Sequence, residues 1–254
     1  MKKHTWLWIP LLLVLLLSCT LPGLGKKSAI TNHTMPDLSI DMTPFEEAGC
    51  TADSYGIWTC PEGSSLADFE CDRIETPAAL LGGLEPADAL ALCWIMPFQH
   101  ADFEEAARLE EAVEQEGYIY ADGCMLPTYA RYIVAHDGTF ELLANPEAFQ
   151  AHFGEVTSYD EALSYALATT NYYAAYGLEA EPSYRYLVDE LEDTYVLDNE
   201  ENGYIVHLYS YQFCGCGPHT TSTIDIIVTR DGEVLESGLI PAYEDPAEDD
   251  LCID

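Results

Sequence analysis

The grouping with the most chemistry in this chain is Cys214-Gly215-Cys216-Gly217-Pro218-His219. Two thiolates and an imidazole this close could give three ligands to a soft metal ion. A thiol beside an imidazole could also act as a nucleophile pair. Both chemistries need reduced cysteines, and no fourth metal ligand is visible nearby. The competing reading is a glycine-proline loop between two strands, held by disulfides, and it is preferred here. No catalytic residue, metal site or cofactor is assigned. A second concentration is aromatic: Tyr172, Tyr173, Tyr176, Tyr184, Tyr186, Tyr195, Tyr204, Tyr209 and Tyr211. Rings beside carboxylates suit sugars or a partner protein, although packing under a helix accounts for most of them. Tyr209, Tyr211 and His219 are kept as candidate binding residues. The acids offer no preferred glycosidase pair, which requires two carboxyl groups at a set separation across a cleft.

Whether those cysteines are reduced depends on compartment, and the first residues speak to that. Lys2-Lys3 precede an apolar run of 12 residues, Trp6–Leu17, interrupted by Pro10. This is a basic n-region followed by an apolar h-region, the layout of an export signal. It is short of the roughly 20 residues a spanning helix needs. Leu16-Leu17-Ser18-Cys19 resembles the lipobox of bacterial lipoproteins. The resemblance implies that residues 1–18 are a signal peptide removed before Cys19. It further implies a diacylglycerol thioether on that sulfur and a fatty acid on the new amino group. Several acyl chains anchor a protein firmly where one is marginal. Thr20, in place of an aspartate, implies the outer membrane where the cell has one. The rival is an ordinary signal peptide cleaved nearby.

Eight cysteines then remain: Cys50, Cys60, Cys71, Cys93, Cys124, Cys214, Cys216 and Cys252. An even number in an exported chain reads as a disulfide framework whose connectivity sequence does not fix. Cys214 and Cys216 are too close to pair with each other without strain, and Cys252 is the expected partner for one of them. Cys216-Gly217-Pro218-His219 resembles a thioredoxin active site, but His219 replaces the second cysteine and the context is a strand meander. Redox catalysis is therefore not expected. Asp198-x-Glu200-x-Asn202-Gly203 resembles the first half of an EF-hand loop, but the twelfth position is Tyr209 where a bidentate acid is required. A hairpin turn is the simpler reading.

Charge narrows the partners. The chain has 9 basic and 45 acidic residues, a net charge of −36. Removing residues 1–18 takes two lysines and no acid, leaving seven basic residues and a net charge of −38. Such a surface repels nucleic acid and anionic headgroups. The acids are spread along the chain, so a solvated surface is preferred, with weak divalent-cation binding as the partner left open. A hydrophobic content of 48% is too high for a purely solvated chain.

The elements that would position these groups read as α+β. Residues 19–49 carry prolines and glycines without period and are read as a flexible linker. The stretch 50–93 is loop-rich with four cysteines, and Ala89–Ile95 is a buried strand or a helix end. Asp102 and Glu105 cap a helix ending at Gly117. Two strands flank the hairpin turn His136-Asp137-Gly138. Asn145-Pro146 opens a short helix ending at Gly154. Ser158 and Glu161 cap another, carrying Leu163, Ala166, Leu167, Thr170, Tyr173 and Ala174 on one face as far as Gly177. Strands follow at 184–197, 203–213, 221–229 and 233–239. The sequence thus divides into a cysteine-rich α+β part, 50–154, and a helix with an antiparallel meander, 155–254. The layout is similar to the helix-on-sheet arrangement of cystatin-like and PepSY-like secreted domains.

The resulting expectation is a lipoprotein of the cell envelope, membrane-attached through its N-terminal lipid. Its role is non-catalytic binding of a ligand or an envelope protein. The alternative is an extracytoplasmic enzyme, either a carboxylate-based hydrolase or one using thiol or metal chemistry at Cys214, Cys216 and His219.

Overall fold

The computed structural model describes residues 29–253. The signal segment 1–18, Cys19 and the first residues of the expected linker lie outside them. The rest of that linker is docked. Strand β1 (Ala29–Thr31) pairs in parallel with β10 (Glu190–Glu192). Helix α1 (Thr43–Glu47) buries Phe45 completely. A tether without apolar anchors would stay free, whereas Phe45 packs against Trp58 and Phe140 at ring separations of 6.0 and 5.1 Å. From residue 29 the segment thus belongs to the folded body.

The first sheet runs β2 (Thr51–Ala52), β3 (Ile57–Thr59), β4 (Arg73–Glu75), β5 (Ala89–Ile95), β7 (Thr128–His136) and β6 (Tyr120–Asp122), with β8 (Thr139–Leu143) also on β7. All its pairings are antiparallel. Every residue of β5 is buried. Period-two alternation sends Leu90, Leu92 and Trp94 to one core and Ala89, Ala91, Cys93 and Ile95 to another. A strand covered on both faces has no polar positions, which is why its sequence alone left helix and strand open. Helix α2 (Phe103–Glu116) covers one face through Leu109 and Val113. Asp102 caps its start by accepting the Glu104 N–H. Its end is held by the buried Arg131, which donates to the Gly117 and Ala112 carbonyls and pairs with Glu116 at 3.0 Å. A cation among those carbonyls suits the negative end of the helix dipole.

On the other face lie α3 (Pro146–Phe153) and α4 (Tyr159–Thr169), capped by Asn145 and Ser158 as their sequences predict. Glu161 reaches back to Thr157 N and Oγ1 at 2.7 and 2.8 Å. Helix α4 is buried nearly all round, because the second sheet packs on its far side. That sheet runs β11 (Val196–Asn199), β12 (Gly203–Tyr211), β14 (Thr220–Val228), β16 (Ile240–Glu244) and β9 (Arg185–Tyr186), with β15 (Val234–Glu236) on β14. Strands β12 and β14 turn Tyr204, Val206, Leu208, Ile224, Ile226 and Val228 into the same core as Leu90 and Tyr132. One hydrophobic cluster therefore joins residues from both parts of the chain.

Two expected elements differ. The helix from Ser158 stops at Thr169, not near Gly177. Thr169 and Thr170 turn their hydroxyls back onto the Tyr165 and Ala166 carbonyls, and Tyr173 exchanges two backbone hydrogen bonds with Tyr209. The expected strand 184–197 is split among β9, β10 and β11, each with a different neighbour. Its acidic middle has no apolar alternation, and the buried Asp193 folds the chain around itself. The Asp193 carboxylate accepts N–H groups from Asn32, His33, Gly177 and Leu178 at 2.8–3.1 Å.

Candidate functional site

All eight cysteines of the described residues are in disulfides: Cys50–Cys60, Cys71–Cys93, Cys124–Cys214 and Cys216–Cys252. Cys214 and Cys216 point to different partners, and Cys216 takes Cys252, directly opposite it where β13 (Gly215–Cys216) meets β17 (Cys252–Ile253). Among the described residues no thiolate remains for a metal or a nucleophile. His219 is 2% exposed, with Nδ1 2.9 Å from the Gln212 carbonyl and Nε2 3.1 Å from that of Leu251. It is a brace inside the loop. Tyr209 is fully buried and donates its hydroxyl to the Glu192 carbonyl at 2.6 Å. Neither His219 nor Tyr209 has a polar atom to offer a ligand. Tyr211 stays half-buried, its phenol pushed up to about 12 by burial and by its hydrogen bond to Glu248. In the half calcium loop, Asp198 pairs with Arg230 at 3.3 Å, and residues 200–202 form the turn into β12.

The aromatic cavity lies elsewhere. A cleft of about 340 Å³ opens where the end of α4 leaves the face of the first sheet. One wall is Leu92, Trp94, Tyr120 and Tyr132, and the other is Leu167 with Thr170–Ala174. Trp94 meets Tyr120 edge-on at 6.1 Å and donates its indole N–H to Glu75 at 2.7 Å. The indole hydrogen bond holds Trp94 in place against the edge of Tyr120. The early stop of α4 forms the opposite wall, since the backbone after Thr170 crosses to the second sheet carrying Tyr172 and Tyr173. Tyr173 is 40% exposed, and Tyr172 donates to Glu236 at 2.9 Å. Burial pushes the Tyr120, Tyr172 and Tyr173 phenols up to about 12 and pushes Tyr132 well above the ordinary phenol range. They stay neutral, offering ring faces and hydroxyl donors. The lining holds one carboxylate, Asp122, one amide, Asn171, and no cysteine, histidine, lysine or arginine. Such a lining can hold a small uncharged molecule with apolar faces and hydroxyls, and it has no acid–base pair.

A second constellation joins Asp88, His136 and His152. Asp88 immediately precedes β5, and the register Ala89↔Ala135 brings it beside His136 at the end of β7. Helix α3 supplies His152. The Asp88 carboxylate lies 3.0 Å from His136 Nδ1 and 2.8 Å from His152 Nε2. Its hydrogen bond and negative charge hold His136 above the usual imidazole range. His152 also borders a wider cleft of about 650 Å³ with Glu85, Glu155 and Asp231. Sequence reading missed this trio because its members are 48 and 64 residues apart, and His136 stood out only as part of a turn. It missed Trp94, Tyr120 and Tyr132 for the same reason.

No protein-family model matches the chain, and comparison with curated proteins and with solved structures finds no match.

Proposed function

We propose that this chain is a non-catalytic binding module of the bacterial envelope. It is anchored by lipid on Cys19 and takes a small neutral saccharide in the cleft between Trp94, Tyr120, Tyr172 and Tyr173. The cleft lining carries the reading: several aromatic rings, a single carboxylate and an amide. Ring faces complement the C–H faces of a sugar, while Asp122 and Asn171 supply acceptors and donors for its hydroxyls. The volume lies at the small end of ligand pockets. An anionic ligand is disfavoured by the net charge of −36.

Two observations weigh against thiol or metal chemistry at the Cys214–His219 loop. The thiols are oxidised. His219 is enclosed. The disulfides accord with a place outside the cytoplasm, and no helix among the described residues is long and apolar enough to cross a membrane.

Removal of residues 1–18 leaves Trp58 and Trp94 as the tryptophans, so a Trp58→Phe background makes fluorescence report on Trp94. Titration with neutral mono- and disaccharides should change that emission saturably, and Tyr172→Ala should abolish the change. If no saccharide perturbs Trp94, the ligand class is wrong. An envelope protein that quenches Trp94 instead would make the cleft a docking site.

A further inference from the structure

We propose that Asp88, His136 and His152 form a site for a divalent transition-metal ion of the zinc type, with at least one coordination position left open. The inference is independent of the saccharide reading and uses other residues.

Its basis is convergence. One donor atom from each residue lies within 4.8 Å of the other two. Two of the separations are 2.8 and 3.0 Å. Donors around a tetrahedral zinc ion with bonds of about 2.0–2.1 Å stand roughly 3.4 Å apart. Both imidazoles already stand near that spacing from Asp88, and the third separation is at most 4.8 Å, so modest side-chain movements take the trio to coordination. Two imidazoles and one carboxylate suit zinc, copper, nickel or ferrous iron, and are a poor set for calcium or magnesium, which take oxygen ligands. Three protein ligands leave room for a further one.

Histidines beside acids are ordinary in so acidic a chain: His33 meets Glu192, His100 meets Asp72 and His207 meets Asp225. Asp88 differs in meeting two imidazoles, from two separate elements. Its side chain and that of His152 are only 13% and 15% exposed, so both are held by packing. His136 is half-exposed and leaves the site open to solvent. While His136 Nδ1 faces Asp88, its Nε2 lies 3.4 Å from the exposed Asp137 carboxylate. A carboxylate near the second ring nitrogen is common at metal-ligating imidazoles. The site ties the start of β5, the end of β7 and α3 together, so a bound ion would also raise the unfolding temperature.

The test is equilibrium dialysis of the purified protein against zinc after chelator treatment, with cobalt(II) absorption as a second readout. One equivalent of zinc should be retained in the presence of millimolar calcium. His152→Ala and Asp88→Asn should each weaken binding at least about tenfold, since outer-shell changes alone cost that much. His136→Gln, at a half-exposed position, covers the case in which Asp88→Asn fails to fold. The control His100→Ala should bind as the parent does. Cobalt should give a visible band of a four- or five-coordinate ion that His136→Gln removes. Zinc displaced by matched calcium, or retained equally by His152→Ala and His136→Gln, would overturn the site.

Discussion

Asp193 accepts the main-chain N–H of His33 at 3.1 Å, across 160 residues of sequence. The same carboxylate takes three further N–H donors, from Asn32, Gly177 and Leu178. Burial pushes this acid up, but the four hydrogen bonds outweigh it and hold it below the usual carboxylate range. A depressed folded-state value means that the stabilisation is present above the unfolded value, about 3.9, and is lost as pH falls through the folded one. Asp193→Asn should cost about 3 kcal/mol, because whichever oxygen becomes NH₂ leaves two donors facing a donor. It should also flatten the loss of stability below about pH 4. Urea melts of both proteins from pH 7 to pH 2 check this. Parallel pH profiles would show that Asp193 is not the group responsible.

Gly83 sets how closely the 3₁₀ turn at 79–83 approaches α4. Its N–H donates to Ser164 Oγ at 3.0 Å, and a Cβ there would stand 2.5 Å from the Asp160 carbonyl and 2.6 Å from that hydroxyl. Both obstacles belong to a buried helix that cannot yield cheaply. Gly83→Ala should destabilise by about 1–3 kcal/mol, the usual cost of overpacking. Chemical denaturation measures it, and an unchanged midpoint would mean that the turn shifts freely.

The disulfides should differ in worth according to the loops they close. Cys124–Cys214 spans 90 residues and Cys50–Cys60 only 10. In the chain-entropy model the long loop is worth about 4–5 kcal/mol and the short one under about 3. Paired serine substitutions at Cys124 and Cys214 should therefore lower the melting temperature more than those at Cys50 and Cys60. Alkylation of denatured, unreduced protein should label none of the eight.

Cys19→Ser tests the anchor. The expected result is an unprocessed precursor or a soluble form, read by membrane fractionation. A variant that is processed and partitions with membranes like the parent would rule out lipid attachment at this residue.

The net charge of −38 left once residues 1–18 are removed predicts self-repulsion that added salt relieves, with a Debye length near 8 Å at physiological ionic strength. The melting temperature should rise between low and molar NaCl. A flat response would mean that ion pairs such as Arg185–Glu244 and Arg108–Glu70 already offset the excess.

The local signals were legible. Asp102, Asn145 and Ser158 cap the helices their spacing announces. Asp137 and Gly138 take the positive φ of a tight hairpin, at 51° and 76°. The alternation of Ile224, Ile226 and Val228 marks the buried face of β14. Each depends on residues within a few positions of one another. What stayed hidden depends on distant partners. Nothing near Thr169 announces that α4 ends there, because the competing contact is Tyr173 with Tyr209 on another strand. The docking of residues 29–33 rests on β10 and on Asp193, and the aromatic cleft needs both sheets in place. Asp88, His136 and His152 carry no motif, since register and a helix from further along the chain bring them together. Tyr209 and His219 drew notice as polar or aromatic side chains in a strand-and-loop region, but burial was decided by the opposite layer.

The linkage of Cys214 to Cys124 and of Cys216 to Cys252 changes what a protease can accomplish. A single cut in the 199–203 turn falls inside the loop closed by Cys124 and Cys214. A cut at Arg230–Gly232 falls inside the one closed by Cys216 and Cys252. Either severs the polypeptide without freeing a fragment. On a gel the nicked protein would migrate as one species until reduced. If Cys19 carries lipid, the portion beyond the cut would stay fastened to the membrane through sulfur.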